Sequence, residues 1–138
     1  MDDLLVIKVA KELCLCVFQV TQRSPKSARF TFVSRLQNTA LDILESVFLA
    51  NGCYIGPGGL PQDAQQRRSL QQRAMTRAQL LAYLAEMAST ENVILPQQFE
   101  RIGRLTTSCQ RLVGGWIASD RQRVPTSMTI SGEGARGS

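Results

Sequence analysis

The sequence predicts an all-α protein, an antiparallel up-down-up-down bundle of four helices. Three observations carry this. Four segments place apolar residues three and four apart, the period of a helix face. Clusters of Gly, Pro, Ser and Asn separate those segments. No alternating run is long enough to compete as a strand.

The first helix is expected over about 3–21, with Asp2 or Asp3 as N-cap and Val6, Val9, Leu13, Val17 and Val20 on one face. Gln22-Arg23-Ser24-Pro25-Lys26 ends it. The second runs over about 27–50 on Phe32, Leu36, Ala40, Ile43 and Val47, and Asn51-Gly52 stops it. Residues Tyr54 to Pro61, with Gly56-Pro57-Gly58-Gly59 inside, form the longest structureless connection. The third helix, about 62–90, reads Leu70, Ala74, Arg77, Leu81, Leu84 and Ala88. The fourth, about 96–122, opens with Pro96 at its first position. It continues on Phe99, Ile102, Leu105, Cys109, Leu112, Val113, Trp116 and Ile117. One domain over 1–124 and a flexible tail over 125–138, rich in Ser, Thr and Gly, complete the reading. A chain of 138 residues suits one domain that buries roughly two-thirds of its unfolded surface.

Composition narrows the function. The chain has no histidine, which removes the commonest general base and the commonest metal ligand. Net charge is +5, and only 3 of the 16 basic residues are lysine. Arginine's planar fork suits phosphate and carboxylate, so the charge suggests a nucleic acid or an acidic partner, while a merely soluble basic domain would carry the same balance. The four cysteines include no CxxC, and on a helix Cys14 and Cys16 point about 160° apart. They read as small buried hydrophobes of a reducing compartment. The acidic start and the lack of a long apolar run point to a cytoplasmic protein with no membrane partner. Asp and Glu are scattered, and the glycine loop lacks the Gly-Lys-Ser ending of a phosphate-cradling loop. No catalytic residue, no metal site and no cofactor are expected, and the chain reads as a non-enzyme.

Two helices have wider apolar arcs than a lone bundle needs. On the second, Phe30, Leu41 and Phe48 widen the arc to about 180°. On the first, Ile7, Cys14 and Phe18 add one flank, and Leu5 and Cys16 the other. Either these helices are generously buried, with the tail as a cover, or they carry an oligomer interface. Arg77 falls in the third helix's stripe, where it must snorkel, pair with Asp42 or Glu45, or face a partner. With Arg67, Arg68 and Arg73 it concentrates charge in that helix's first half. On the fourth, Arg101, Arg104 and Arg111 share one flank, opposite the small residues Gly103, Thr107 and Gly114. That flank is either an ordinary solvated face or a binding surface. Gly114-Gly115 inside a helix costs about 1 kcal/mol per residue relative to alanine, so close approach of another helix is a natural reason for it. No aromatic interleaves with the stripe, which argues against stacking of single-stranded bases.

Several of these segments resemble a known family. Ser24-Pro25-Lys26-Ser27-Ala28-Arg29-Phe30-Thr31, followed by Ala40-Leu41-Asp42-Ile43-Leu44-Glu45, resembles the first helical hairpin of Avd-type bundle proteins. These are the accessory variability determinants of diversity-generating retroelements, kin of the intervening-sequence proteins of ribosomal RNA genes. Arg77-Ala78-Gln79-Leu80-Leu81-Ala82 is similar to the family's third helix. Phe99-Glu100-Arg101-Ile102-Gly103-Arg104 and Leu112-Val113-Gly114-Gly115-Trp116-Ile117 are similar to its last. The likeness spans about residues 3–120; the glycine-rich loop and the preference for arginine over lysine depart from it. The resemblance implies a homopentameric barrel that associates with a reverse transcriptase and binds template RNA and nucleic acid generally. It thereby supports mutagenic cDNA synthesis whose catalysis belongs to the polymerase. Arg67, Arg68, Arg73, Arg77, Arg101, Arg104 and Arg111 are the expected nucleic-acid or polymerase contacts. Ile7, Cys14, Phe18, Phe30, Leu41 and Phe48 are the expected oligomer interface. Five copies would carry about +25, enough for salt-sensitive phosphate binding. The alternative is a structural helical module that uses its charge on an acidic protein surface without nucleic acid.

Overall fold

A computed structural model describes residues 2–123, with side chains described from residue 5 onward. The expected tail lies outside the described residues, which form helices joined by turns and short irregular segments, with no strand. The four long helices are α1 (Asp2–Thr21), α2 (Ser34–Asn51), α3 (Pro61–Thr90) and α4 (Pro96–Arg123). Each packs on two others, α1 and α3 both lying against α2 and α4, so the four close around one core.

The helix ends follow local chemistry. Pro61 opens α3, and Asp63 in its first turn suits the positive end of the helix dipole. At the far end of α3, Asn92 takes a left-handed φ of 62°. This lets the amides of Asn92 and Val93 donate to the Ser89 and Ala88 carbonyls, a Schellman stop. Pro96 opens α4, and Gln98 Oε1 accepts from the Leu95 amide at 2.8 Å, half of a capping box. The two tips are tied together, since Ser24 Oγ donates to the Val93 carbonyl at 2.9 Å.

The second helix does not begin as a simple α-helix. A 3₁₀ turn (Lys26–Ala28) leads into a π-helical turn (Arg29–Val33) before α2 proper. A π turn inserts an extra residue and shifts the helix face. Here Phe32 and Val33 are half buried and Phe30 is left 88% exposed.

The core combines Val6, Leu13 and Val17 of α1 with Leu36, Ala40, Ile43 and Val47 of α2 and Ile102, Cys109, Val113 and Trp116 of α4. On α3 the face differs from the expected stripe. Its buried line is Arg67, Gln71, Ala74, Ala78, Leu81, Ala85 and Ala88, while Leu70, Arg77 and Leu84 are half buried on its flank. Apart from Leu81, small and polar residues form the inward line, so Leu70 and Leu84 mark the edge of α3 rather than its centre. Cys14, expected at an oligomer interface, is instead buried, and its thiol donates to the Ala40 carbonyl at 3.2 Å. Burial pushes its pKa up to about 11. Among the described residues no helix is long and apolar enough to cross a membrane.

Candidate nucleic-acid interface

The seven arginines expected at one surface separate into three groups. Arg67 is inside the protein, 4% exposed. Its Nε and Nη2 donate to Asp120 at 2.7 and 3.0 Å, and Nη1 donates to the Cys53 carbonyl at 3.0 Å. Gln71 Nε2 adds a further bond to Asp120 at 2.7 Å, and the guanidinium lies 4.9 Å from the Trp116 ring centroid. A cation in the core needs such a carboxylate, because an uncompensated one is very costly to bury. Arg67 therefore fastens the start of α3 to the end of α4 and to the chain leaving α2, and it is out of reach of a phosphate. The loop it holds is compact. Tyr54 donates its hydroxyl to the Pro57 carbonyl at 2.7 Å, a Cβ at Gly56 would collide with the Tyr54 ring, and Gly58 has a left-handed φ of 79°.

The other α3 arginines diverge. Arg77 is half buried and its Nε lies 3.8 Å from Asp42 Oδ2, one of the pairings expected for it. Arg73 is exposed, and Arg68 is half buried with its Nε enclosed and without a hydrogen-bond partner.

Arg101, Arg104 and Arg111 remain together. All three are exposed on α4. Arg101 donates to Gln19 Oε1 of α1 at 3.1 Å, whereas Arg104 and Arg111 form no ion pair or hydrogen bond among the described residues. A groove of about 470 Å³ on the α1 side is lined by Glu12, Leu15, Cys16, Gln19, Arg101, Arg104, Leu105 and Ser108. The field of the two arginines reaches the Cys16 thiol. Burial raises its pKa, and Arg101 and Arg104 act in the opposite direction.

A second groove, about 760 Å³, runs on the other side of Arg104, lined by Phe99, Glu100, Gly103, Arg104, Thr107, Ser108 and Arg111. A neighbouring space of about 260 Å³ towards α3 shares Phe99, Gly103 and Thr107 with it and is otherwise lined by Gln79, Ala82, Tyr83, Glu86, Thr106 and Gln110. Tyr83 is 57% exposed. Sequence reasoning missed this ring beside the arginines. The available signal was Tyr83 and Met87 four apart on α3, both off its core line and both exposed.

The apolar residues expected at an oligomer interface also divide. Phe30, Leu41 and Phe48 are 88%, 41% and 63% exposed, and Ile7 and Phe18 are half buried. In helical projection Leu41 and Phe48 fall on the side of α2 that bears Gln37, whose amide bonds Thr21 of α1. That places them along the outer α1–α2 seam.

Cys109 is buried in the core and its pKa is pushed up to about 12, chiefly by burial, with Cys14 and Glu12 adding to the rise. Among the described residues no three His, Cys, Asp or Glu gather into a group that could hold a metal ion. No family model matches the chain, and no curated protein matches it in sequence.

Proposed function

We propose that this chain is a non-catalytic, self-assembling accessory protein of a diversity-generating retroelement, which binds template RNA and the reverse transcriptase that copies it. The observation that carries the nucleic-acid part is the α4 face. Arg101, Arg104 and Arg111 stand exposed on one helix, and Arg104 and Arg111 form no ion pair among the described residues. Exposed guanidiniums of this kind are suited to phosphate oxygens. The polymerase and the mutagenic cDNA synthesis rest on the family resemblance of the hairpin and last-helix segments. The pairing of ends supports an antiparallel up-down-up-down order: the end of α1 meets the start of α4 through Gln19 and Arg101, and the start of α3 meets the end of α4 through Arg67 and Asp120. Assembly into a pentameric barrel in the cytoplasm is part of the same proposal. Phe30, Leu41 and Phe48 supply apolar surface for it, with Ile7 and Phe18 at its border.

The test compares template RNA and polymerase in pull-downs with the wild-type chain and an Arg101→Ala/Arg104→Ala/Arg111→Ala variant. The expected result is loss of RNA with the polymerase retained. Retention of RNA by the triple variant removes the α4 face from the site. If RNA binds neither chain, the reading falls to the alternative of an acidic protein partner.

A further inference from the structure

The groove beside the arginines has a shape and chemistry that a phosphate ridge alone does not need. We propose that it holds a single strand of nucleic acid, with an unpaired base stacked on Tyr83 and the strand's phosphates on Arg104 and Arg111. The proposal rests on the nucleic-acid reading above and specifies which form of nucleic acid the surface takes.

The two sides of the groove offer different chemistry. Arg104 and Arg111 are seven residues apart, about 10 Å along the axis, so they present two cations in line. On the α3 side stands Tyr83, an exposed ring that lines the same space as Phe99 and Gly103. The floor itself is Gly103, where an added Cβ would meet nothing within 4 Å. Glycine inside a helix costs about 1 kcal/mol relative to alanine, and no neighbour within the protein requires it here. A nucleotide crossing the floor gives it a use, since it spans from a charged backbone to a flat ring. Base–aromatic stacking is indifferent to base identity but requires an unpaired base, and the bases of a duplex are already stacked on one another. Gln110 donates to Gln79 Oε1 at 3.2 Å and gives the Tyr83 side polar groups for a base edge. Two carboxylates also line the space, Glu86 near Tyr83 and Glu100 one turn before Arg104. They repel phosphate and so confine the backbone to the Arg104–Arg111 side.

The experiment titrates the full chain into a labelled oligouridylate of about 12 nucleotides, and into the same strand annealed to oligoadenylate, at one salt concentration. The single strand is expected to bind several-fold more tightly than the duplex. Tyr83→Ala is expected to weaken single-strand binding about tenfold, while Tyr83→Phe keeps it. Duplex affinity should be unchanged by Tyr83→Ala, and so should the salt slope when the titration is repeated at a second salt concentration, because no phosphate contact is lost. Gly103→Met, which projects into open space, should also weaken the single strand. Equal affinity for both forms, or full single-strand binding by Tyr83→Ala, overturns the proposal and leaves the phosphate-binding face intact. If neither form binds, the nucleic-acid reading falls and this one with it.

Discussion

Asp120→Ala should be among the most damaging single substitutions in the protein. Asp120 accepts from Arg67 Nε, Arg67 Nη2 and Gln71 Nε2, all at 3.0 Å or less, and the Arg67 and Asp120 side chains are only 5% and 10% exposed. Removing the carboxylate leaves a guanidinium in the core without its counter-charge, a loss of about 3–5 kcal/mol. Stranding the Gln71 donor pushes the loss towards the upper end of that range. Against a total stability of about 5–15 kcal/mol, the melting temperature should fall by roughly 10–20 °C. The network is not fully satisfied even when intact: Gln71 Oε1 and Trp116 Nε1 are buried without a hydrogen-bond partner. An apolar pair, Arg67→Met with Asp120→Leu, should therefore recover most of the loss. Denaturant titration followed by circular dichroism at a fixed protomer concentration measures both. A loss under about 1 kcal/mol for Asp120→Ala, or a double variant less stable than the single one, refutes the reasoning.

Gly114→Ala and Gly115→Ala should each stabilise the folded chain by about 0.5–1 kcal/mol, since an added Cβ meets nothing within 4 Å at either position. Destabilisation in a melt would mean that the space is occupied. Under native conditions a thiol reagent should modify Cys53 first and leave Cys14, Cys16 and Cys109 protected by burial; rapid labelling of all four would contradict the core. The raised pKa values of Cys14 and Cys109 favour the neutral thiols in the folded state. Their contribution to stability is full below pH 9.0 and declines as pH rises towards about 11 and 12. Denaturation midpoints measured across that range check the sign. Phe48→Ser together with Phe30→Ser, both at exposed positions, should reduce the particle mass in sedimentation while helical content stays constant.

The four helices were legible because prolines and the Asn-Gly stop act locally: Pro61 and Pro96 open α3 and α4, and α2 ends at Asn51. The α1, α2 and α4 core faces were legible because their valines, leucines and isoleucines repeat at helical spacing. The α3 face was legible only in part: Ala74, Leu81 and Ala88 are buried as expected, whereas Leu70, Arg77 and Leu84 are on the flank. Its inward line is mostly alanine with Arg67 and Gln71, and a reading guided by large apolar residues turns towards Leu70 and Leu84. Pairing across 53 residues made Arg67 look like surface charge, because nothing local marks Asp120 as its partner. The π turn at Arg29–Val33 was invisible for a similar reason, since it is one extra residue in a sequence that still reads as helical. Of the site, the Arg101, Arg104 and Arg111 stripe followed from spacing on one helix. Tyr83 did not, because its place beside them depends on how α3 packs on α4.

The salt dependence of RNA affinity tests the phosphate-binding claim most directly. With Arg104 and Arg111 on phosphates of a single strand, log affinity should fall against log salt with a slope of about -1.4 per protomer engaged, and about -2 if Arg101 also engages. In the Arg101→Ala/Arg104→Ala/Arg111→Ala variant the binding left at high protein concentration should be weak, and its slope should flatten towards zero. Affinity that does not weaken as salt rises, or a slope unchanged in the triple variant, would contradict a phosphate-binding face on α4.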